Sequence, residues 1–309
     1  MKFYYGIQNQ YVDVTDKLIK SWTDNNVIRI LSDDNTRAKL FGDHIVNVVK
    51  HLLYIDNQDK EHIIPHDKSL IIEVLTGNII DITHPRQYWK LFGKSVSDDE
   101  KKLRGLHGYI KMSFGKLTDE FPEQLMTVKY LDENAKVLEI GGNIGRNTCV
   151  IASILNDDRN LVTLESHPTI VNQLIHNKNA NSFNFHVENA ALSIVPLIQN
   201  GWNTRVSKEV PSGWIKVNTI TFEELEKKYN IQFDTMVLDC EGAFYQILVD
   251  NPDCLKNINT IIIENDFTEI DKKNYVDSVL NKYGLKSVYQ RAGGWGVCYN
   301  KFFEVFKKS

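Results

Sequence analysis

The hydrophobic positions are spaced differently before and after residue 83, and the two parts predict different structures. Up to about Ile82 the apolar residues are mostly β-branched or aromatic and partly alternate with polar ones. Turn-forming stretches such as "DNQD" and "TGN" separate these runs. Such a pattern is typical of short, half-buried strands. Residues 1–85 are therefore predicted to form a small all-β domain, either a sandwich or a compact barrel.

The segment that follows predicts a connector and then helices. The stretch "THPRQYWKLFGKSVSDDE" is mixed and polar, as expected for a connector. Residues 97–134 predict a helical lead-in of two helices, the second with Pro122 in its first turn. Proline is tolerated there because the N–H that it lacks would have no partner inside the helix.

Beyond Ala135, short apolar runs alternate with turn or helix signals. Seven of these runs are candidate strands: "KVLEI", "LVTLE", "FNFHV", "FDTMVLD", "NTIIIE", "KSVYQ" and "VCYNKFFEVF". Alternation of strands with helices predicts a mostly parallel sheet covered by helices on both faces. Residues 86–309 are therefore expected to form one α/β domain with a seven-stranded Rossmann-like sheet. In such a sheet, ligands bind at the carboxyl ends of the strands.

Composition narrows the class of protein. The chain has 309 residues, 42% of them hydrophobic, which is enough to bury a full core. Its 36 basic and 40 acidic residues give a net charge of -4, which disfavours a nucleic-acid partner. No apolar run is long enough for a membrane span, and the start "MKFYYGIQNQ" does not resemble a secretory signal. The four cysteines contain no C-x-x-C pair, so we expect reduced thiols and a cytoplasmic location.

The stretch "VLEIGGNIGRNT" carries the first candidate site. The dinucleotide fingerprint G-x-G-x-x-G requires glycine where this sequence has Asn143 and Arg146. An acid at the end of a strand, here Glu139, disfavours a phosphate and favours an ammonium group. S-adenosylmethionine carries an ammonium, a sulfonium and a ribose without a phosphate. We therefore predict that Glu139 attracts its cationic end, while Gly141 and Gly145 let the chain pass close to it. The alternative is a surface acid beside an ordinary strand–helix turn.

Residues after the next two strands extend this prediction. Glu165 follows the second strand and is expected to accept both ribose hydroxyls, as the acid at this place does in nucleotide-binding folds. After the third strand, Asn189 and its small neighbours are expected beside the adenine. The predicted cofactor-binding residues, at strand ends or on the loops that follow them, are Glu139, Gly141, Gly142, Asn143, Gly145, Glu165, Ser166, Asn189, Ala190 and Asp239.

Six segments in order resemble the FkbM-type family of S-adenosylmethionine-dependent methyltransferases. They are "VLEIGGNIGRNT", "LESHP", "NAALS", "VNTITFEEL", "VLDCEGAFYQIL" and "IIIEND", and the similarity extends from about Phe114 to about Ser309. Val237 and Phe244 depart from the family pattern, which often has Lys and Glu there. The resemblance implies a class I methyltransferase sheet and O-methylation, most often of a sugar hydroxyl, so that a glycan is the expected acceptor.

Other functions stay open beside this one. The same machinery could methylate a small molecule, a lipid headgroup or a protein, or the fold could serve a non-catalytic glycan-binding or structural protein. The N-terminal segment, with "YVDVT" and "LFGDHIVNVVKHLLYI", resembles modules of glycan-assembly proteins of large DNA viruses and some bacteria. If this protein is viral, the expected location is the host cytoplasm. The β domain is expected to bind the acceptor or to form a homo-oligomer.

The stretch "LDCEG" and the end of the fifth strand supply candidate catalytic residues, namely Asp239, Glu241 and Glu264. A hydroxyl acceptor needs a base or a metal to take up its proton. One hypothesis is that Asp239, Glu264 and Asp266 (or Asn265) hold Mg²⁺ or Mn²⁺. The alternative is that these carboxylates cap helices, and without a metal Glu241 or Asp239 becomes the direct base.

Acceptor contacts are expected from side chains on loops at the same edge. The stretch "QRAGGWGVCY" would let Arg291 and Trp295 reach over the pocket because two glycines precede the tryptophan. Trp214, Trp202 and Tyr109 are further candidates, because sugars stack on aromatic faces. Phe121 and Gln124 are expected to cover the methionine end of the cofactor.

Overall fold

The structure is a computed structural model that describes residues 1–24, 27–32, 34–93 and 96–308. The chain divides into two compact units, Met1–Ile110 and Lys111–Ser309. Residues 94 and 95 of the predicted connector, and Ser309 at the end of the predicted α/β domain, lie outside the described residues.

The first unit contains two antiparallel four-stranded sheets, with strand orders β2-β1-β5-β6 and β3-β4-β7-β8. The strands are β1 (Lys2–Ile7), β2 (Gln10–Asp13), β3 (Thr23–Asp24), β4 (Val27–Ile30), β5 (His51–Ile55), β6 (Glu61–Ile64), β7 (Leu70–Glu73) and β8 (Ile79–Asp81). The helices are α1 (Thr15–Trp22), α2 (Asp34–Phe41), α3 (Pro85–Tyr88) and α4 (Asp99–His107), and a π-helical turn spans Trp89–Gly93. Buried side chains from both sheets and from α1 and α2 form one core, which includes Phe3, Leu18, Phe41 and Ile72.

The β-rich character is confirmed, but the unit is not all-β. Helix α1 was missed although Leu18 and Trp22, four residues apart, form its buried face. Of the long apolar stretch before residue 55, only His51–Ile55 is a strand. Val46 and Val49, in the part before it, are exposed.

The boundary between the units lies after the predicted one. The sequence prediction ended the first domain at residue 85, whereas the first unit extends to Ile110. The reason is that the segment after residue 85 packs on the β-rich core. Tyr88 stacks on Tyr109 with ring centroids 4.9 Å apart, and its hydroxyl accepts a hydrogen bond of 2.6 Å from Arg29 Nη1.

The second unit is built on a seven-stranded mixed sheet with the order β11-β10-β9-β17-β18-β20-β19. Its strands are β9 (Val137–Ile140), β10 (Leu161–Leu164), β11 (His186–Glu188), β17 (Thr235–Leu238), β18 (Thr260–Glu264), β19 (Leu285–Arg291) and β20 (Phe303–Lys308). The helices are α5 (Phe121–Tyr130), α6 (Arg146–Ile154), α7 (Pro168–Ala180), α8 (Phe222–Tyr229), α9 (Phe244–Asp250) and α10 (Ile270–Lys282). Strand β20 runs antiparallel to both neighbours, and the other pairs from β11 to β18 are parallel.

This order confirms the predicted Rossmann-like methyltransferase fold with seven strands. Residues of β9, β10 and β17 are all buried, as expected of continuous apolar runs inside a parallel sheet. Ile140 pairs with Leu164 on one side and with Leu238 on the other. The carboxyl ends of these three strands therefore meet at one edge, and the loops after them converge there.

A small insertion between β11 and α8 was not predicted. It contains β12 (Ala191–Leu192), β13 (Leu197–Asn200), β14 (Asn203–Val206), β15 (Ile215–Val217) and β16 (Thr219–Ile220). Strand β12 pairs in parallel with β16, while β13 pairs antiparallel with both β14 and β15. Within the described part of the chain, no helix is long and apolar enough to cross a membrane.

Candidate functional site

The glycine loop after β9 is pressed against the ends of the neighbouring strands. The N–H groups of Gly141 and Gly142 donate to the carbonyl of Leu164 at 3.0 and 2.9 Å. Gly141 has φ +90°, and a Cβ there would lie 1.6 Å from the carbonyl oxygen of Asp239. A Cβ on Gly142 would lie 2.1 Å from Oγ1 of Thr163. The protein's own packing therefore requires glycine at both positions, and the close approach of a ligand to Gly141 and Gly145 stays a prediction.

Glu139 lies at the end of β9 and is only 3% exposed. The hydroxyl of Thr148 in α6 donates a hydrogen bond of 2.6 Å to its Oε2. Burial raises the pKa of Glu139 from the usual 4.5 to about 7, although the hydroxyl groups of Thr148 and Thr163 lower it. A cation beside this carboxyl would favour its charged form, as the sequence prediction requires.

Glu165, after β10, is held in place by backbone donors. Its Oε2 accepts from the N–H of Asn143 at 3.0 Å, and its Oε1 accepts from the N–H of His167 at 2.7 Å. Asn143 itself has φ +46°, the left-handed conformation that asparagine tolerates. Burial raises the pKa of Glu165, and the two backbone donors lower it. The glycine loop and the second acid are therefore joined directly.

The predicted residues around the third strand have two different roles. The side-chain amide of Asn189 donates to the carbonyls of Glu165 and Ser166 at 2.9 and 3.0 Å, so it joins the two loops. Ala190 and Ser166 line the cleft described next, and the hydroxyl of Ser166 donates to Oε1 of Gln199 at 2.9 Å.

A cleft of about 170 Å³, here called the main cleft, opens at the carboxyl edge of the sheet. It lies among the loops after β9, β10, β11 and β17 and is covered in part by the β13–β14 hairpin. The residues that line the main cleft include Gly141, Asn143, Glu165, Ser166, Ala190, Leu192, Leu197, Gln199, Trp202, Thr204, Asp239, Cys240, Glu241 and Ile247. The main cleft therefore brings together most of the predicted cofactor-binding residues.

A smaller acidic chamber lies beside the main cleft. Five carboxyl groups line it, those of Glu120, Glu123, Glu139, Asp239 and Glu264. Asp239 lines both cavities, and its backbone N–H donates to the carbonyl of Ile140 at 3.1 Å. Glu123 was not predicted, but it lies in the first turn of α5, next to Gln124, which was.

Burial and repulsion between like charges raise the pKa values of three carboxyl groups at this edge of the sheet. Burial, then the charge of Asp266, raises the pKa of Asp239. Burial and the side-chain contact with Glu123 raise the pKa of Glu264 strongly. Burial, then the charge of Glu241, raises the pKa of Asp266 to about 7. Groups with pKa values moved toward neutrality are suited to proton transfer.

The metal prediction for Asp239, Glu264 and Asp266 is not supported. Among the described residues, no three carboxylate, imidazole or thiol side chains come together as a metal site requires. Asn265, the alternative ligand, directs its amide away to the carbonyl of Lys301 and to Glu304, at 2.6 and 3.0 Å. The strand ends place these residues at one edge, but their side chains do not converge on one point. Helix capping does not explain Asp239 either, because α9 begins after Ala243 without a side-chain cap.

Glu241 occupies the turn after β17 in a left-handed conformation with φ +52°. A non-glycine residue in that region carries some backbone strain, which often occurs at ligand sites. Glu241 lines the main cleft, and burial raises its pKa.

The predicted acceptor contacts are separated by the structure. Phe303, at the start of β20, pairs with Glu264, at the end of β18. The loop between Arg291 and Trp295, which precedes β20, therefore lies at the same edge of the sheet, and Trp295 is 51% exposed. Neither Arg291 nor Trp295 lines the main cleft. Trp214 lies beside the hairpin, with the guanidinium of Arg205 4.2 Å from its ring centroid.

Of three other predicted residues, two are buried in the protein and one lines the main cleft. Tyr109 is buried in the first unit against Tyr88. Gln124 is buried and donates to the carbonyl of Leu117 at 2.9 Å. Trp202, 56% exposed, lines the main cleft from the tip of the hairpin, whose "NG" dipeptide is a hairpin signal that could have placed it.

Comparison with known proteins finds similarity in fold. No protein-family model and no curated protein matches the sequence. The O-methyltransferase from Bacillus cereus in complex with SAH is 15% identical, with a TM-score of 0.38, over 72% of this chain and 96% of that one. The ribosomal protein L11 methylase from Lactobacillus delbrueckii subsp. bulgaricus is 8% identical, with a TM-score of 0.39, over 64% and 82%. An rRNA methylase from Streptococcus thermophilus is 9% identical, with a TM-score of 0.37, over 64% and 99%.

These similarities are distant, so the class of fold is defined by the strand order itself. The resemblance to the FkbM-type family is not confirmed by a family model.

Proposed function

We propose that the chain is an S-adenosylmethionine-dependent methyltransferase. The observation that carries the proposal is the placement of Glu165, whose carboxylate is fixed by two backbone N–H groups at the wall of the main cleft. A carboxylate after the second strand of such a sheet suits the two hydroxyls of a ribose. The acidic chamber at the end of β9 suits a cationic group at the other end of the same ligand.

The charges of the cleft support this cofactor over a nucleotide that carries phosphates. Among the described residues that line the main cleft and the acidic chamber there is no lysine or arginine. Six of these residues are Asp or Glu, not counting Glu241. A pyrophosphate would be repelled there. The glycine loop also lacks the second and third glycines of the dinucleotide fingerprint.

The chain's own residues would align the acceptor and take up its proton. When bound, S-adenosylmethionine supplies a methyl group activated by a sulfonium. That methyl group would go to an oxygen of the acceptor and leave S-adenosylhomocysteine, while the proton of the acceptor hydroxyl would pass to a carboxylate of this chain. Asp239 is the candidate base, because it lies where the main cleft and the acidic chamber meet. Glu241 and Glu264 are the other candidates, and alignment supplies much of the rate.

The finer part of the proposal is that the acceptor is a hydroxyl group, with a sugar of a glycan as the expected source. This part is supported by the resemblance of the six motifs to the FkbM-type family. It is also supported by the carboxylates of the cleft, which disfavour a polyanionic acceptor such as RNA.

Cofactor binding tests the proposal first. In isothermal titration, S-adenosylmethionine should bind the full chain and NAD should not. Glu165→Gln should weaken binding on the order of tenfold, because glutamine loses the charge and one of the two acceptor oxygens. Asp157→Asn, at a half-buried residue of the same unit that lines neither cavity, is the matched control and should leave the affinity unchanged. Equal affinities for Glu165→Gln and the wild type would remove the ribose role, and tight NAD binding would refute the cofactor assignment.

A further inference from the structure

The inserted hairpin forms a wall of the main cleft. Strands β13 and β14 are joined at Gly201 and Trp202, and Gln199 and Trp202 both line the cleft. Gln199 is 5% exposed, and its side-chain oxygen accepts a hydrogen bond from the hydroxyl of Ser166, which follows β10. The hairpin is thus hydrogen-bonded to the loop that carries Glu165.

A second cavity of about 380 Å³, here called the hairpin lobe, lies on the far side of this wall. It shares Leu192, Leu197, Trp202, Thr204, Cys240, Glu241, Ala243 and Ile247 with the main cleft. It then continues past Tyr245 and Gln246 of α9 to Lys272 of α10. The two cavities therefore adjoin along these shared residues, and none of the predicted cofactor-binding residues lines the hairpin lobe.

The charged groups of the hairpin lobe are balanced. Arg205 and Lys272 are its cations, and Glu241 and Asp250 are its carboxylates. Lys272 pairs with Glu269 at 2.7 Å, and Glu241 and Asp250 balance the charges of the two cations of the lobe. A strongly anionic ligand would find little uncompensated positive charge there.

The remaining lining suits a ring that has both an apolar face and hydroxyl groups. Trp202 is 56% exposed and offers a large flat surface at the boundary of the two cavities. Tyr245 provides a second ring, and Ser193, Thr204 and Gln246 provide polar atoms that can exchange hydrogen bonds with hydroxyl groups.

We propose that the hairpin lobe binds the methyl acceptor, that this acceptor is an uncharged hydroxylated ring, and that Trp202 is its specificity-determining residue. The inference rests on the proposed function and assigns its acceptor site. It places acceptor recognition on the inserted hairpin rather than on the loop that carries Trp295. A sugar and a phenol share the chemistry, and the experiment distinguishes them.

Saturation-transfer NMR on the full chain tests this assignment. The protein is saturated with S-adenosylhomocysteine, so that a small change in cofactor affinity does not affect the result. One set of probes contains methyl glycosides of common hexoses and deoxyhexoses, and the other contains catechol and 4-methylcatechol. We expect one set of probes to bind. Trp202→Ala should lower the affinity for these probes on the order of tenfold, and Trp202→Phe, which keeps an aromatic face, should restore it.

Trp295→Ala is the discriminating variant, because Trp295 is about as exposed and lies at the same edge of the sheet. A loss in Trp295→Ala with no loss in Trp202→Ala would overturn the inference in favour of the other loop. If S-adenosylhomocysteine saturates the protein but neither set of probes binds, the acceptor is not an uncharged hydroxylated ring. Binding of a ten-nucleotide RNA that depends on Trp202 would do the same. Failure to bind S-adenosylhomocysteine at all would instead refute the proposed function.

Discussion

Burial of single carboxyl groups dominates the electrostatics at the carboxyl edge of the sheet. Glu139 is enclosed by β9 and α6, and its carboxylate accepts a hydrogen bond from the hydroxyl of Thr148. Its charged form therefore lacks the solvation that water would give. Asp266, on the turn after β18, is raised to a similar pKa of about 7 by burial and by Glu241. Two groups on different strand ends thus have pKa values near neutrality, which suits them to exchange protons.

The protonation of Glu139 should appear in the stability of the ligand-free protein. Its pKa rises from 4.5 to about 7 on folding, so the folded state holds this proton more tightly than the unfolded state. Its contribution is therefore complete below pH 4.5 and is lost as pH rises through 7. Relative to Glu139→Gln, which keeps an acceptor for Thr148, the wild type should lose about 3 kcal/mol of unfolding free energy over that range. Urea unfolding at several pH values measures the difference, and a difference that does not vary with pH would contradict the burial argument.

Residue types could be predicted from the sequence better than their contacts. Glu139 and Glu165 were placed at strand ends because an acid directly after an apolar run is visible in the sequence. The metal hypothesis failed because adjacency of strand ends does not fix where side chains point, and Asn265 turns to Lys301 and Glu304. Glu123 was missed because only the tertiary packing of α5 brings it to the acidic chamber.

At the scale of elements, the strands of the large sheet were predictable and the inserted sheet was not. Apolar runs such as Val137–Ile140 are buried throughout and stand out in the sequence. Strand β14 is exposed at all four positions, so it has no buried face to produce an alternating pattern. The hairpin is instead specified by its turn, where Gly201 has φ +55°.

The glycine loop allows a test of whether packing or backbone conformation requires its glycines. Gly141→Ala should cost more than about 3 kcal/mol, because the new Cβ would meet the carbonyl of Asp239, which β17 holds in place. Gly201→Ala is the matched control: its φ is also positive, but nothing lies within 4 Å of the Cβ. It should cost about 1 kcal/mol for the left-handed backbone alone. Thermal and urea unfolding measure both, and equal losses would show that the close contact is relieved by a small shift.

A buried charge network fixes the turn between β18 and α10. Lys273 is 0% exposed and its Nζ lies 2.8 Å from Oε2 of Glu304, which also accepts from Asn265. Glu304→Gln removes the buried partner of Lys273 and leaves Asp277, whose side chain is partly exposed, as the remaining carboxylate, so the change should cost about 3 kcal/mol. The double variant Lys273→Met/Glu304→Gln should lose less than the sum of the two single variants.

The matched control for this cycle is the exposed pair Lys256–Asp253, at 2.7 Å on the same unit. Water screens these side chains, so their cycle should give a coupling indistinguishable from zero. Additive losses in the buried pair would show that Asp277, the other partner of Lys273, is sufficient to compensate its charge.

At the scale of the whole molecule, the described residues include a hydrophobic core in each of the two units. One is formed by side chains of the β-rich unit, and the other lies within the second unit around β9, β17 and β18. The boundary at Ile110 could not be read from composition, because the helices after residue 85 look like the lead-in of the α/β domain. Tertiary contacts, such as those of Tyr88 with Tyr109 and Arg29, assign that segment to the first unit.

Two cores predict two unfolding transitions, and the proposed cofactor should stabilise only one of them. A ligand that binds the folded form of one unit raises the midpoint of that unit's transition in proportion to the logarithm of its concentration. Calorimetry of the full chain with S-adenosylmethionine should therefore shift the transition of residues 111–309 and leave the transition of residues 1–110 in place. A separately expressed 111–309 fragment identifies which transition is which, and NAD serves as the ligand control. A single transition that shifts as a whole would show that the two cores unfold cooperatively, and the β-rich unit would then be part of the stability of the cofactor site.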